Sequence, residues 1–126
     1  MSTTQQIKIT KAVASRPLID GFPGGQLVDF GAFPSLSGPA VAGVYRNLGT
    51  VPQFDVPAYP EDEFKYVIDG EMVVVQGGET LVALAGDLVH IPRGAAFTVL
   101  PTVFTAVYFS ARAPTFTQTQ PVTAKL

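Results

Sequence analysis

The sequence predicts an all-β protein, a sandwich or barrel of short antiparallel strands in a single domain. Three observations carry this. No apolar stripe of period 3.6 persists for a useful length, whereas short apolar or alternating runs recur, which is the spacing of strands. Turn-forming residues separate those runs, with 12 Gly and 11 Pro in a chain of 126 residues. The composition is 47% hydrophobic and only 14% charged, which fits a packed core and excludes a disordered polypeptide. A chain of this length can fill one core and not two, so residues 1–126 read as one domain.

Taken in order, residues 7–10 alternate and read as a strand within an N-terminal arm of residues 1–14. Residues 15–25, SRPLIDGFPGG, read as loop or one helical turn. Strands follow at 26–33, 41–48, 64–68, 71–76, 79–84, 88–91, 97–100 and 103–110, giving a core of about residues 26–110. Asp69-Gly70 supplies the positive φ angles of a tight hairpin, and Gly77-Gly78 closes a second one. Gly86-Asp87 marks a third turn and Pro92-Arg93-Gly94 a fourth. The tail, residues 111–126, becomes Thr/Gln/Pro-rich and reads as an arm over the domain or over a partner.

Charge and cysteine usage narrow the function classes. A net charge of -2 gives no attraction to nucleic acid or to an anionic membrane. No cysteine is present, so disulfides, thiolate metal sites and cysteine nucleophiles are excluded. MSTTQQIKIT lacks the basic and apolar regions of a signal peptide, and no apolar run reaches the ~20 residues of a membrane helix. The expected location is the cytoplasm. The acids are unevenly spread: Asp55, Glu61, Asp62, Glu63, Asp69 and Glu71 fall within one short stretch, which also carries Lys65.

That stretch carries a resemblance. Glu63 followed by six residues and Gly70 is similar to the end of the first cupin motif, G-x5-H-x-H-x3-4-E-x6-G. Gly86-x5-Pro92-x-Gly94 is similar to the start of the second, G-x5-P-x-G-x2-H-x3-N. YVIDGEMVVV and GDLVHIPRGAAFTV resemble cupins in spacing and composition, so the likeness spans about residues 45–110. Within that superfamily the chain resembles small ethanolamine-utilisation (EutQ-like) cupins through Asp62, Glu63, Lys65, Tyr66, Val67, Asp69, Gly70 and the I-P-R-G turn. The resemblance implies a jelly-roll barrel with its ligand site in one mouth, and a homodimer that exchanges N-terminal strands. The family's metal-binding histidines are missing. Their positions fall on Pro57 and Tyr59, or on Val56 and Ala58, in the first motif and on Phe97 in the second. The expectation is therefore no metal and no cofactor, with Asp55, Glu63 and His90 as an unorthodox alternative ligand set.

If Glu63 keeps the family's inward position, Lys65 and Val67 share its face by period two, while Phe64, Tyr66 and Ile68 point outward. The same parity places Asp55, Pro57 and Tyr59 inside, then Leu88 and His90, then Phe97 and Val99. Phe104, Ala106 and Tyr108 are expected inward on the last strand, and Tyr45 is a further pocket candidate. Outward, Phe64, Ile68, Val89 and Ile91 are expected beneath a second sheet or a partner. The resulting pocket is aromatic and aliphatic with a few convergent polar groups, suited to a small hydrophobic or aromatic substrate.

Glu63 and Lys65 read either as an ion pair at the barrel mouth or as proton-transfer groups. His90, the one histidine, reads either as a hydrogen-bonded structural residue or as a general acid or base. Glu61 and Asp62 read as solvated loop acids and Arg93 as a rim residue. Three functions fit this pattern. The first is a metal-independent isomerase, cyclase, dehydratase or lyase, with Lys65, Glu63 and His90 catalytic. Its substrate would rest on Tyr45, Asp55, Tyr59, Val67, Leu88, Phe97, Val99, Phe104 and Tyr108. The second is a non-catalytic metabolite-binding or accessory cupin of ethanolamine-utilisation type. The third is an atypical metallo-cupin oxygenase. The first is the favoured expectation.

Overall fold

The computed structural model describes residues 6–22, 24–35 and 38–116. This range holds a single 3-10 turn at Val13–Ser15 and nine strands. These are β1 (Ile19–Phe22), β2 (Gly25–Ser35), β3 (Gly38–Asn47), β4 (Phe54–Val56), β5 (Glu63–Gln76), β6 (Glu79–Leu84), β7 (Leu88–Ile91), β8 (Phe97–Val99) and β9 (Phe104–Ser110). Every pairing is antiparallel. One sheet runs β1-β2-β3-β9-β5 with β7 on the far edge of β5, and the other joins β6, β5, β8 and β4. The two curl around a common interior as an all-β jelly-roll.

Alternation places the core. On β9, Phe104, Ala106, Tyr108 and Ser110 are buried and the residues between them are not. On the first part of β5, Glu63, Lys65 and Val67 are buried while Phe64, Tyr66 and Ile68 are half exposed. Leu27, Tyr45, Met72, Ala83 and Ile91 complete the interior cluster. Burying a ring such as Phe104 contributes about 2–3 kcal/mol. A smaller cluster, Leu18 and Val28 with Phe30 and Val44, sits apart from it.

Four expectations about elements are corrected. Residues 64–68 and 71–76 are one strand, because Asp69-Gly70 stays paired with β9 and makes no hairpin turn, just past a bulge at Ile68. Gly70 takes a φ of 82°, and the register against β9 slips between Val67 and Asp69. Residues 7–10 form no strand, and Ile7 and Ile9 are largely exposed. Residues 19–22 do form one, β1, because Leu18 and Ile19 are buried against β2. The three-residue β4, flanked by Pro52 and Pro57, is too short to show a period in the sequence. Residues 1–5 of the arm and 117–126 of the tail lie outside the described residues.

Its positive φ and its close approach to β9 make Gly70 irreplaceable. A β-carbon there would strike the Val103 carbonyl oxygen and lie 2.8 Å from Phe104 Cα. Gly70→Ala is therefore expected to destabilise the fold by on the order of 3 kcal/mol. Gly77→Ala, also at positive φ but facing open space, should cost about 1 kcal/mol. Urea unfolding of both variants reads the difference.

Candidate functional site

Between the sheets lies a cavity of about 330 Å³. Its walls are Phe54 and Val56 from β4, Phe97 and Val99 from β8, and Phe104 from β9. Its polar end collects Tyr45, Tyr59, Glu61, Lys65 and Arg112, and the tail residues Thr115 and Phe116 roof it. A wider groove of about 710 Å³ runs over the outer face of the first sheet, past Val13, Phe33 and Phe109. The interior cavity is the better site, because aromatic faces and charges converge there.

The loop at 57–62 delivers Tyr59 and Glu61 to the cavity. Tyr59 N–H donates to Ala95 O at 2.9 Å, and Gly94 N–H donates to Tyr59 O at 2.8 Å. The Arg93 N–H donates to Asp62 Oδ1 at 2.9 Å, tying the loop to the Pro92-Arg93-Gly94 turn. Asp62 is exposed as expected, but its carboxylate is this staple. Glu61 corrects the solvated reading, since it is partly buried and lines the cavity.

Glu63 and Lys65 lie side by side, with Lys65 Nζ 2.5 Å from Glu63 Oε2 and both side chains under 10% exposed. Ser110 Oγ donates to Glu63 Oε1. The ammonium also lies 4.6 Å from the Tyr45 ring centre and 5.4 Å from that of Tyr108, so two π faces help replace its lost hydration.

A second charged knot, centred on Asp29, escaped the sequence reading. Its carboxylate accepts from Arg112 Nη1 and Nη2 at 3.0 and 2.8 Å and from Tyr108 Oη at 2.5 Å. It also takes the backbone N–H groups of Thr115 and Phe116 at 2.7 and 2.9 Å. The Asp29 N–H donates in turn to Phe116 O at 2.6 Å. Thus β2 holds the tail down over the cavity. Arg112 Nε reaches Glu61 Oε2 at 3.3 Å, and its guanidinium lies over the rings of Tyr108 and Phe116.

These contacts set the acidities. Burial alone would raise Asp29, but the hydrogen bonds from Arg112, Tyr108, Thr115 and Phe116 hold it below the usual aspartate value. Burial would lower Arg112, yet Asp29 fixes its charge more firmly than usual. Burial and the neighbouring Glu63 push Tyr45 up to about 12 and raise Tyr59 also. Tyr108 is raised by burial and by its bond to Asp29. Glu61 is raised by burial and by the charge of Glu63.

Of the residues singled out from sequence, Tyr45, Tyr59, Lys65, Phe97, Val99 and Phe104 line the cavity. Glu63 abuts Lys65, while Val67 and Tyr108 are buried in the core around it. Asp55, Leu88 and His90 are corrected: all three are exposed. Glu63 pairs with Ile91 and Phe64 with His90, and cross-strand partners share a face. Ile91 and Val89 therefore turn inward, while His90 stacks on Phe64 outside, ring centres 5.0 Å apart. Asp55 accepts from Thr98 Oγ1 at 2.7 Å, because the loop at 57–62 breaks the parity counted back from Glu63. Asp29 carried a signal, as a lone acid within an apolar run; Arg112 and Phe116 carried none.

The three-His, one-Glu metal set of cupins does not fit this chain. Neither Pro57 and Tyr59 nor Val56 and Ala58 can ligate a metal as imidazoles do, Phe97 stands at the second-motif position, and the cation beside Glu63 is the Lys65 ammonium. Asp55, Glu63 and His90 do not converge, and no group of three or more His, Asp or Glu side chains among the described residues could hold a metal ion. No helix among them is long and apolar enough to cross a membrane.

Residues 54–112 match the family model described as EutQ-like cupin domain. The EutQ protein of Clostridium difficile is 25% identical over 79% of each chain, with a TM-score of 0.55. A putative ethanolamine utilization protein Q from Salmonella typhimurium LT2 is 27% identical over 70% of this chain and 71% of that one, with a TM-score of 0.54. The polyketide cyclase RemF from Streptomyces resistomycificus shares the fold at 15% identity, TM-score 0.60, over 89% of this chain and 82% of its own. No curated protein matches in sequence.

The Asp29 knot gives a prediction with a definite sign. Because Asp29 is held low, its contribution is complete above the ordinary aspartate value and is lost as pH falls through the lower folded one. Asp29→Asn should cost about 3 kcal/mol at neutral pH by stranding Arg112, and the variant's melting temperature should fall less steeply on acidification. Thermal melts of both proteins across the acid range check this.

Proposed function

We propose that this chain, a small cupin resembling EutQ, is a metal-independent enzyme that runs acid-base chemistry on a small hydrophobic or aromatic molecule. The reaction class is that of an isomerase, cyclase, dehydratase or lyase. One observation carries the reading: a buried ammonium, Lys65, held by Glu63 at the polar end of an aromatic-walled cavity. In a dry site, fixed charge aimed at a developing oxyanion is worth far more than in water. Lys65 supplies that charge, and the Tyr45 and Tyr59 hydroxyls, kept protonated, supply further donors. Glu63 orients the lysine. His90 has no part in this scheme, because it lies on the outer face.

The reading has a direct test. A panel of small cyclic and aromatic carbonyl compounds is screened for binding by ligand-detected NMR, and turnover of the binders is followed. Lys65→Met should keep binding but lose about 10²-fold or more in turnover. Full turnover in both Lys65→Met and Glu63→Gln would sink the assignment. Chelator treatment should leave melting temperature and turnover unchanged, whereas a stoichiometric metal surviving purification would remove the metal-free part.

The likeness to EutQ favours a second reading, a metabolite-binding accessory protein. Binding without turnover across the panel would support it. In either case we take the protein to work as a cytoplasmic homodimer, joined through the outer face that bears Phe64, Ile68 and Phe109, each about half exposed. Light scattering at the monomer mass would refute the dimer.

A further inference from the structure

Five charged side chains meet in and beside the cavity, and four of them are pinned. Asp29 is filled by Arg112, Tyr108 and two backbone N–H groups. Arg112 is spent on Asp29 through both terminal nitrogens. Glu63 is held by Ser110 and Lys65, and Lys65 by Glu63 and two rings. Glu61 is the odd one. Among the described residues its one ion pair is with Arg112 Nε, at 3.3 Å, and it lines the cavity with Lys65, Tyr45 and Tyr59.

The charges match in the same way. Asp29 balances Arg112 and Glu63 balances Lys65, which leaves the Glu61 carboxylate as the surplus charge. Its proton can come and go without breaking either knot. An anionic ligand would meet Glu61, and a cationic one would meet Lys65 and Arg112, so the cavity favours a neutral molecule. One exchangeable carboxylate facing an ammonium and two phenol hydroxyls is the equipment that enolisation requires.

We propose that Glu61 is the catalytic base and acid of this cavity, removing and returning a proton at the carbon next to the carbonyl of a neutral, ring-bearing ketone. The C–H bond breaks, its electron pair forms the enolate C=C bond, and the carbonyl oxygen takes the negative charge. The Glu61 carboxylate takes the proton and delivers it back to the same or to a conjugated carbon, so nothing is oxidised or reduced. Lys65 and the Tyr45 and Tyr59 hydroxyls face the oxygen, and Glu63 is a positioning residue for Lys65. The assignment rests on the acid-base reading above and replaces a sequence-level view in which Glu61 was a solvated acid. Burial and Glu63 raise Glu61, so it gives up its proton at higher pH than a solvated glutamate.

The test uses the full chain in D₂O with 1-indanone and 2-tetralone as probes, following loss of the α-proton signals by NMR. Wild-type protein should speed exchange over buffer by about 10²-fold or more. Glu61→Gln, nearly isosteric at a partly exposed position, should abolish that acceleration with its melting temperature retained. Glu61→Asp should recover part of it. The wild-type rate should climb with pH as Glu61 ionises, under the influence of Glu63, Tyr59, Lys65 and Arg112. Acceleration that persists in Glu61→Gln but vanishes in Lys65→Met would overturn the role of Glu61 and leave the acid-base reading standing. No acceleration of either ketone by the wild-type protein would overturn both.

Discussion

A tail can close a cavity only if something inside the barrel holds it, and here the holder is the carboxylate of Asp29. It gathers donors from β9, from Arg112 and from the backbone at Thr115 and Phe116. A charge this buried is tolerated because each lone pair has a partner and a guanidinium lies alongside. The position of Phe116 over the cavity, the orientation of Arg112 and the approach of Arg112 to Glu61 all descend from that arrangement. The cavity is thus shaped as much by a polar knot as by its apolar walls.

The second buried pair, Glu63 with Lys65, obeys the same physics. Two charges removed from water lose more hydration than their attraction restores unless other groups join in. Ser110 serves one oxygen, and the faces of Tyr45 and Tyr108 serve the ammonium. Such a pair is a poor choice for stability alone. It is a good one for keeping a positive charge fixed at the end of an aromatic chamber.

Much of the fold was legible from period two and turn chemistry. The alternation through Glu63, Lys65 and Val67 and through Phe104, Ala106 and Tyr108 is visible in the residues, because one face of each strand is apolar or carries its charge inward. Parity failed where a loop or an unrecognised pairing intervened. His90 and Leu88 were placed inside by counting along the chain, whereas the antiparallel pairing with Glu63 and Phe64 decides the face. Asp69-Gly70 is ambiguous in principle, since a tight turn and a close approach of two strands both call for a glycine. Glu61, Asp29, Arg112 and Phe116 meet through long-range contacts, and nothing in their local sequence announces where they land.

The unbroken course of β5 past Gly70 also governs how the molecule comes apart. Because β5 does not stop there, one strand hydrogen-bonds to β7 and β9 in one sheet and to β6 and β8 in the other. Neither sheet can melt while keeping its neighbour intact, since each would strip the shared strand of half its partners. Sharing one strand in this way couples the two sheets, so amides along β5 are expected to open together. A ligand that tightens either wall thereby stabilises both.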